Sequence, residues 1–185
     1  MELFRKLTAN QLNRLSPEEF KTNTKKPVIV VLDNIRSLNN VGSIFRTADA
    51  FGIEALYLCG ITGTPPNREI NKTALGATET VRWEYFKEIT DAINFLKKNG
   101  FMVFAVEQAT PSIQLNNLQI QTINSKIAFI FGNEIYGVSE VALKNVDACL
   151  EIPQFGTKHS LNVAVSVGVV LWHYIYQTTN HNIKQ

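Results

Sequence analysis

The sequence contains little cysteine or histidine, which limits the disulfide and metal chemistry available to it. Its 185 residues include two cysteines and three histidines. Cys59 and Cys149 fall at predicted strand ends, and two thiols do not form the dense framework of a disulfide-stabilised domain. His159, His173 and His181 show no zinc-ligand spacing with one another or with the cysteines. We therefore predict neither a disulfide framework nor a metal site.

Long apolar runs are also missing. The longest run covers residues 163–172, is interrupted by Ser166 and Gly168, and is too short to cross a bilayer. Residues 1–6 lack the apolar core of a signal peptide. These two absences predict a cytoplasmic protein without a membrane partner.

The usual nucleotide-binding motifs do not occur. No Gly-x-Gly-x-x-Gly or Walker A pattern follows a predicted strand, and Ser160 lacks the context of a nucleophile elbow. The net charge of +2 permits a nucleic-acid partner without requiring one. Dinucleotide, P-loop and serine-hydrolase sites are thereby unsupported.

What the chain does contain is a series of strand-length apolar runs that alternate with helical segments. Strands are predicted at residues 28–32, 56–59, 101–106, 127–131 and 148–152, with an edge strand at 81–85. Helices are predicted at residues 41–51, 88–99, 139–145 and 163–172. This alternation favours an α/β fold with a mostly parallel sheet and helices on both faces. The last helix is apolar on nearly every side, so we expect it to be buried.

The chain divides into three parts. Residues 1–26 are predicted to form a short basic helical leader, with one helix at 3–15 and a second that begins at the capping box Ser16-Pro17-Glu18-Glu19. Residues 27–178 are predicted to form a single domain, followed by a polar tail at 179–185. Within the domain, residues 61–73 are predicted to be a long loop that could contact substrate.

The first of three polar clusters follows the first predicted strand, where ligands of open α/β sheets bind. Its helix should present an apolar face formed by Val41, Ile44, Phe45, Ala48 and Phe51. Gly42, Arg46 and Asp49 share the adjacent polar face, and Gly42 should leave space beside Arg46. Asn39 or Asn40 is the expected N-cap. An ordinary capped surface helix with an Arg46–Asp49 pair would explain the same pattern.

The other two clusters also follow predicted strands. Gly132 and Gly137 flank Asn133 and Glu134 and permit a tight turn and close approach to a ligand. Ile152 and Pro153 end the last strand, after which Ser160 is expected to cap the final helix and Asn162 to lie in its first turn. Loops that leave the same edge of a parallel sheet would converge on one pocket.

Together the three clusters resemble the motifs of the SpoU (TrmH-like) family of RNA ribose 2′-O-methyltransferases, in the SPOUT superfamily. The matching motifs are Asn40-x-Gly42-x-x-x-Arg46-Thr-Ala, Phe131-Gly132-Asn133-Glu134-x-x-Gly137, and Ile152-Pro153 followed by Ser160-Leu161-Asn162-Val163-Ala164. The resemblance covers about residues 28–172 and is specific because all three motifs occur in order.

The resemblance implies a deep C-terminal trefoil knot, although knots are nearly absent from proteins. It also implies a homodimer, in which Ala164 and Gly168 would let a neighbouring helix approach, from the same or another subunit. S-adenosyl-L-methionine would bind against the knot, largely through backbone groups. The residues that we assign to this cofactor are Val106, Glu107, Gly132, Asn133, Gly137, Ile152, Pro153 and Leu161.

The implied reaction is methyl transfer to a ribose 2′-hydroxyl of tRNA or rRNA. By resemblance, Arg46 activates that hydroxyl and Asn40 orients Arg46 or the substrate. A guanidinium is hardly a free base at neutral pH, so we expect Arg46 to grip an RNA phosphate that helps to take the proton. Ser160 and Asn162 would hold the site together, and Glu134 would shape the cofactor turn or position Arg46. The alternatives are a base-methylating SPOUT enzyme and a non-catalytic RNA-binding module with the same fold.

Overall fold

A seven-stranded parallel sheet forms the centre of the computed structural model, which describes residues 4–120 and 125–180. The strand order is β3-β2-β1-β6-β4-β7-β5. The strands are β1 (Lys26–Asp33), β2 (Ile53–Cys59), β3 (Trp83–Phe86), β4 (Met102–Val106), β5 (Ile113–Gln114), β6 (Ile127–Phe131) and β7 (Ala148–Glu151). All six pairings are parallel, as the alternating pattern predicts. The predicted α/β class with a mostly parallel sheet is therefore confirmed.

Helices cover both faces of this sheet. They are α2 (Leu38–Phe51), α3 (Arg68–Ala74), α4 (Ala77–Thr80), α5 (Ile89–Lys98), α6 (Glu140–Leu143) and α7 (Val163–Asn180). A further short helix, α1 (Pro17–Thr22), precedes the sheet and has no buried residue. One apolar core lies between the sheet and α2, α3, α4 and α7. A second core lies on the opposite face, under α5 and α6. Strands such as β1 and β6 are buried on both sides, which explains their uninterrupted apolar sequence.

The central strands and the edge strand β3 occur where they are predicted, but β5 is missed. With only Ile113 and Gln114, it is too short to give a periodic signal. Cys59 ends β2, whereas Cys149 lies inside β7 and not at its end. Both cysteines are free, and burial with the nearby Asp33 charge raises the pKa of the Cys59 thiol to about 12.

The leader differs from its prediction. A helix over residues 3–15 is wrong for the described part, where only a 3-10 turn at Ala9–Leu12 forms; residue 3 lies outside the described residues. Leu7, Leu12 and Leu15 are exposed, so this segment has no apolar surface on which a helix could pack. The capping box at the start of α1 is confirmed: the Glu19 N–H donates to Ser16 Oγ, and the Glu19 carboxylate accepts from the Ser16 N–H.

The predicted loop at residues 61–73 is also corrected, because most of its second half is α3. Asn67 caps this helix, and its side-chain oxygen accepts from the N–H groups of Glu69 and Ile70. Ile70 is fully buried against α2. The prolines at 65 and 66 dominate the local pattern, whereas the burial that stabilises α3 comes from a distant helix.

Helix α2 keeps the predicted apolar face but begins earlier than expected. Its N-cap is Ser37, whose Oγ accepts from the Asn40 N–H, so neither Asn39 nor Asn40 is the cap. Gly42 is buried and does not leave space beside Arg46. A Cβ at Gly42 would lie 2.2 Å from both the Ile70 carbonyl oxygen and Thr73 Oγ1 of α3. Gly42 therefore permits the close approach of α3.

Helix α7 runs parallel to α2. Asn162, just before α7, donates a hydrogen bond to Asn40 near the start of α2. Further along, Trp172 of α7 contacts Phe51, the last residue of α2. The expectation that this helix is buried holds for one face only, because an apolar stripe along the other faces outward. The exposed stripe consists of Val165, Val169, Trp172 and Tyr176. The helix also continues two residues into the predicted tail, whose residues 181–185 lie outside the described part. No helix in the described ranges is long and apolar enough to span a membrane.

The close contact between α2 and α3 gives a test of Gly42. We expect Gly42→Ala to lower the free energy of unfolding by about 1–3 kcal/mol, because the new methyl group must displace helix backbone. Urea unfolding of the variant and the wild type measures this difference. The matched control is Ser43→Ala on the same helix, for which we expect a change within about 0.5 kcal/mol. Equal stability of the Gly42→Ala variant and the wild type would contradict the packing argument.

Candidate functional site at the carboxyl edge of the sheet

A cavity of about 790 Å³ opens at the carboxyl ends of β4, β6 and β7. Three chain segments supply its walls, and each follows one of these strands. The lining residues are Val106–Gln108, Phe131–Val138, Glu140, Leu143, Ile152, Gln154, His159–Val163 and Ser166. The second and third sequence clusters therefore meet, as their positions after parallel strands predict.

The turn after β6 forms one wall of the cavity. Asn133 and Gly137 exchange two backbone hydrogen bonds of 2.9 Å, which close the turn. Gly137 has a φ of +69°, in the left-handed region that favours glycine. A Cβ at Gly132 would lie 2.0 Å from the Gly137 carbonyl carbon, so the turn folds back directly onto Gly132. Both glycines are needed for this shape.

The Asn133 side chain stabilises the same turn from behind. Its Nδ2 donates to the Asn34 carbonyl at 2.7 Å, and its Oδ1 accepts from the N–H groups of Ile135 and Tyr136. The residue is 8% exposed. All of these bonds are internal, so the side chain serves the shape of the cavity wall.

Glu107 holds the far end of the turn. One carboxylate oxygen accepts from the Val138 N–H at 2.9 Å, and the other accepts from the Gln108 N–H at 2.8 Å. A Cβ at Gly137 would lie only 2.2 Å from the first of these oxygens, so a side chain at position 137 would collide with it. Glu107 therefore links the end of β4 to the turn after β6.

Glu134 connects the turn to the first polar cluster. Its carboxylate accepts from the N–H groups of Arg36 and Ser37 at 2.9 and 3.0 Å and from Asn40 Nδ2 at 2.8 Å. Desolvation by burial raises the pKa of Glu134, but the hydrogen bonds from Arg36, Asn40 and Ser37 outweigh it and the pKa is lowered overall. The carboxylate form is thus the one that the site stabilises.

Asn40 passes this connection on to α7. Its Oδ1 accepts from Asn162 Nδ2 at 3.1 Å, and Asn162 Oδ1 accepts from the N–H groups of Ala164 and Val165. Asn162 is therefore the residue that caps α7, and the expectation that Ser160 does so is wrong. Ser160 lies on the cavity wall in the exposed loop before the cap.

Arg46 lies apart from the residues that line the cavity. It follows Asn40 by six residues, which corresponds to about 9 Å along the helix axis. Its side chain is exposed and forms no ion pair or hydrogen bond with the described residues, so the alternative of an Arg46–Asp49 pair is wrong. Asp49 instead accepts from Thr80 Oγ1 at 2.6 Å.

The loop that connects β7 to α7 contributes Ile152, Ser160 and Leu161 to the cavity, while Pro153 lies beside it without lining it. Over residues 154–161, the one hydrogen bond to another described residue is donated by Gln108 Nε2 to the His159 carbonyl. The peptide groups of this loop are therefore available to a ligand. Sequence reasoning missed Gln108 and His159, although Gln108 directly follows the predicted strand β4.

These features define an α/β protein with a small-molecule site at the carboxyl edge of its sheet. Residues 27–172 match the SpoU rRNA methylase family, so the chain belongs to that family. The resemblance in the three motifs is thereby confirmed.

Curated relatives include RNA 2′-O-methyltransferases. The chain is 30% identical over 148 residues to the 23S rRNA (guanosine-2′-O-)-methyltransferase RlmB of Neisseria meningitidis, covering 80% of this chain and 58% of the relative. It is 31% identical over 155 residues to the tRNA (guanosine(18)-2′-O)-methyltransferase of Thermus thermophilus, covering 84% and 77%. The chain thus spans less than two thirds of the Neisseria protein.

Solved structures agree with this assignment. The TrmH/SpoU tRNA modifying enzyme of A. aeolicus superposes with a TM-score of 0.78 at 25% identity, over 90% of this chain and 82% of that one. The AdoMet-bound rRNA methyltransferase of Sinorhizobium meliloti gives a TM-score of 0.76 at 26% identity, over 88% and 61%.

The hydrogen bonds of Glu134 predict a pH-dependent contribution to stability. At pH 7, Glu134→Gln should lower the free energy of unfolding by about 1–3 kcal/mol, because an amide cannot accept all three bonds. The pKa of Glu134 in the folded protein lies below its ordinary value, so the carboxylate stabilises the fold fully above the unfolded-state pKa and loses this effect as the pH falls through the folded-state pKa. Denaturant unfolding at pH 7 and near pH 4 measures whether the difference in free energy of unfolding between the wild type and Glu134→Gln becomes smaller at the lower pH.

The control for this measurement is Glu140→Gln, whose side chain is 90% exposed and makes one ion pair of 3.6 Å with Lys144. We expect that variant to match the wild type at both pH values within about 0.5 kcal/mol. If Glu134→Gln is as stable as the wild type at pH 7, or if the difference in free energy of unfolding grows on acidification, the carboxylate does not stabilise the loops in this way.

Proposed function

We propose that the protein transfers a methyl group from S-adenosyl-L-methionine to a ribose 2′-hydroxyl of tRNA or rRNA. The observation that carries this proposal is the convergence of the second and third motifs on one cavity, with the first motif bonded to them through Glu134 and Asn40. The relatives of stated activity methylate guanosine ribose in 23S rRNA or tRNA, which favours ribose over base.

The cavity suits this cofactor in size and in wall chemistry. Its volume of about 790 Å³ is within the range of small-molecule sites. Apolar side chains of Val106, Ile152 and Leu161 line it, and the loop at 154–161 offers peptide groups for hydrogen bonds. Gly132 and Gly137 have no side chains, so the backbone of the turn after β6 can approach a bound ligand closely. When bound, S-adenosyl-L-methionine supplies an activated methyl group on a sulfonium.

Arg46 has the properties of a phosphate anchor. It is exposed, unpaired among the described residues and permanently charged, and its planar fork can bind a phosphate through two parallel hydrogen bonds. The gripped phosphate would help to take or orient the proton that the 2′-hydroxyl loses as its oxygen attacks. Asn40 and Glu134 fix the start of the helix that carries Arg46, and Asn162 ties it to the cavity wall.

A second copy of this chain is the partner that best fits the exposed stripe on α7. Val165, Val169, Trp172 and Tyr176 form one continuous apolar row, which is costly to leave in water. A Cβ at Gly168 would meet nothing within 4 Å in the described structure, so the helix that Ala164 and Gly168 admit would belong to another subunit. The resulting homodimer would enclose the surface beside Arg46, because α2 and α7 lie side by side.

The knot and the domain limits are part of the same proposal. β7 lies beyond β4 in the sheet, and the segment that follows it passes along the carboxyl edge before Asn162 bonds to Asn40 at the start of α2. From there α7 packs between α2 and the segment after β5, where Gln177 accepts from the Ile120 N–H. This route supports the trefoil knot that the family resemblance implies. We keep residues 27–178 as the methyltransferase domain, and a cytoplasmic location follows from the RNA substrate.

The proposal is tested with the wild-type protein, Arg46→Ala and Arg46→Lys, labelled S-adenosyl-L-methionine and total RNA. We expect wild-type methylation that maps to a ribose 2′-oxygen, which blocks nuclease cleavage at the adjacent linkage. Arg46→Ala should lose at least about 100-fold in rate, since positioning and proton transfer both depend on this residue. Its affinity for the cofactor, measured by calorimetry, should stay within about twofold.

Near-normal turnover of Arg46→Ala would end the phosphate-anchor assignment. Full activity of Arg46→Lys would show that the positive charge is required but that a bidentate contact is not. A methyl group mapped to a base nitrogen would favour the base-methylating alternative, and RNA binding without any methylation would favour a non-catalytic module.

The dimer is tested by Val169→Glu, which places a charge in the middle of the stripe. We expect the wild type to sediment as a dimer at micromolar concentration and Val169→Glu to shift to the monomer, because a buried unpaired carboxylate is costly. The control is Val141→Glu on α6, a valine on the opposite face of the sheet that is 45% exposed, against 37% for Val169. A monomeric wild type, or dissociation of both variants alike, would contradict this interface.

A further inference from the structure

A second, smaller cleft opens directly beside the main cavity. It has a volume of about 340 Å³ and is lined by Arg36, Ser37 and Glu134. Glu134 also lines the main cavity, so the two spaces share one wall. The mechanism above uses the backbone of Arg36 but gives no role to its side chain.

The backbone of Arg36 is fixed, whereas its side chain is not engaged. Its N–H donates to Glu134 at 2.9 Å, and the next N–H, of Ser37, donates to the same carboxylate. The guanidinium is exposed and makes no ion pair or hydrogen bond within the part of the chain that the structure describes. A permanently charged group with five donors is thus held at the mouth of the site without an internal partner.

We propose that Arg36 binds a backbone phosphate of the substrate RNA beside the nucleotide whose ribose enters the main cavity. This inference rests on the proposed RNA methyltransferase function. It adds a residue to the substrate contacts, because Arg36 lies outside the three motifs that indicate that function.

The cleft favours a phosphate over a base. No aromatic residue is among those that line it, so it lacks the stacking surface on which unpaired bases are usually held. Ser37 Oγ already accepts from the Asn40 N–H, and Glu134 already accepts three hydrogen bonds. Little remains to read a base edge, whereas a phosphate needs only the guanidinium.

Arg36 and Arg46 would contact different phosphates. From Leu38, next to the cleft, to Arg46 the helix advances by eight residues, or about 12 Å. A helical strand advances about 3.4 Å per phosphate, so this distance corresponds to a few nucleotides. The loss of one arginine is therefore not compensated by the other.

The test uses Arg36→Gln, Arg36→Lys and, as control, Arg82→Gln. Arg82 precedes β3 at the amino edge of the sheet and pairs with Glu84, so its removal takes away the same charge far from the site. The probes are fluorescein-labelled 20-nucleotide oligo(U) and oligo(A), with binding followed by anisotropy across a series of KCl concentrations. Calorimetry with S-adenosyl-L-methionine checks that the cofactor site is intact.

We expect Arg36→Gln to bind both oligomers about tenfold more weakly at low salt, with the slope of log K against log[KCl] reduced by about 0.7. Arg36→Lys should recover most of the slope, and Arg82→Gln should match the wild type. An unchanged slope for Arg36→Gln overturns the inference, as does a loss confined to one oligomer, which would indicate base recognition. If the wild type binds RNA but Arg36→Gln is unaffected, only this inference fails; if the wild type binds no RNA, the proposed function fails with it.

Discussion

The carboxylate of Glu134 is the interaction on which the arrangement of the site depends. It follows β6 and accepts hydrogen bonds from Arg36, Ser37 and Asn40, which follow the neighbouring strand β1. Two loops almost 100 residues apart in sequence are thereby closed over adjacent strand ends. Because all three donors are neutral, the carboxylate keeps its charge without needing a cation, and Arg36 and Arg46 remain available for an external anion.

Asn40 extends this constraint to the C-terminal helix. Its amide donates to Glu134 and accepts from Asn162, which in turn caps α7. A second contact joins Phe51, the last residue of α2, to Trp172 in the middle of α7. Polar bonds at the start of α2 and aromatic packing at its end hold α2 against α7, so the helix that carries Arg46 is fixed to the segment that forms one wall of the cavity.

Much of the fold could be predicted because the central strands are buried on both faces and read as continuous apolar runs. The exceptions have a common cause. α3 depends on the burial of Ile70 against α2, and the leader stays largely non-helical because Leu7 and Leu12 have nothing to pack against. Both outcomes are decided by contacts between distant segments, to which local periodicity is insensitive.

The same distinction applies within the site. That Glu134, Asn40 and Asn162 would lie near one another follows from their positions after parallel strands. Local preference admits either Ser160 or Asn162 as the cap of α7, and the structure selects Asn162. That α3 fills the space beside Gly42 depends on a contact between separate helices that no local motif encodes.

Arg36 and Arg46 are not among the residues that line the main cavity, and this difference has a consequence for substrate choice. The cavity walls are built from internal hydrogen bonds and glycine contacts that tolerate little change, since each of Gly132, Gly137 and Glu107 is packed against another. The exposed side chains of Arg36 and Arg46 carry no such constraint, because neither forms a hydrogen bond or an ion pair with another described residue. Members of one family can therefore keep the same small-molecule site and differ in the RNA that they bind. On this argument, the residues that select the proposed RNA substrate lie on the surface around α2 and outside the cavity.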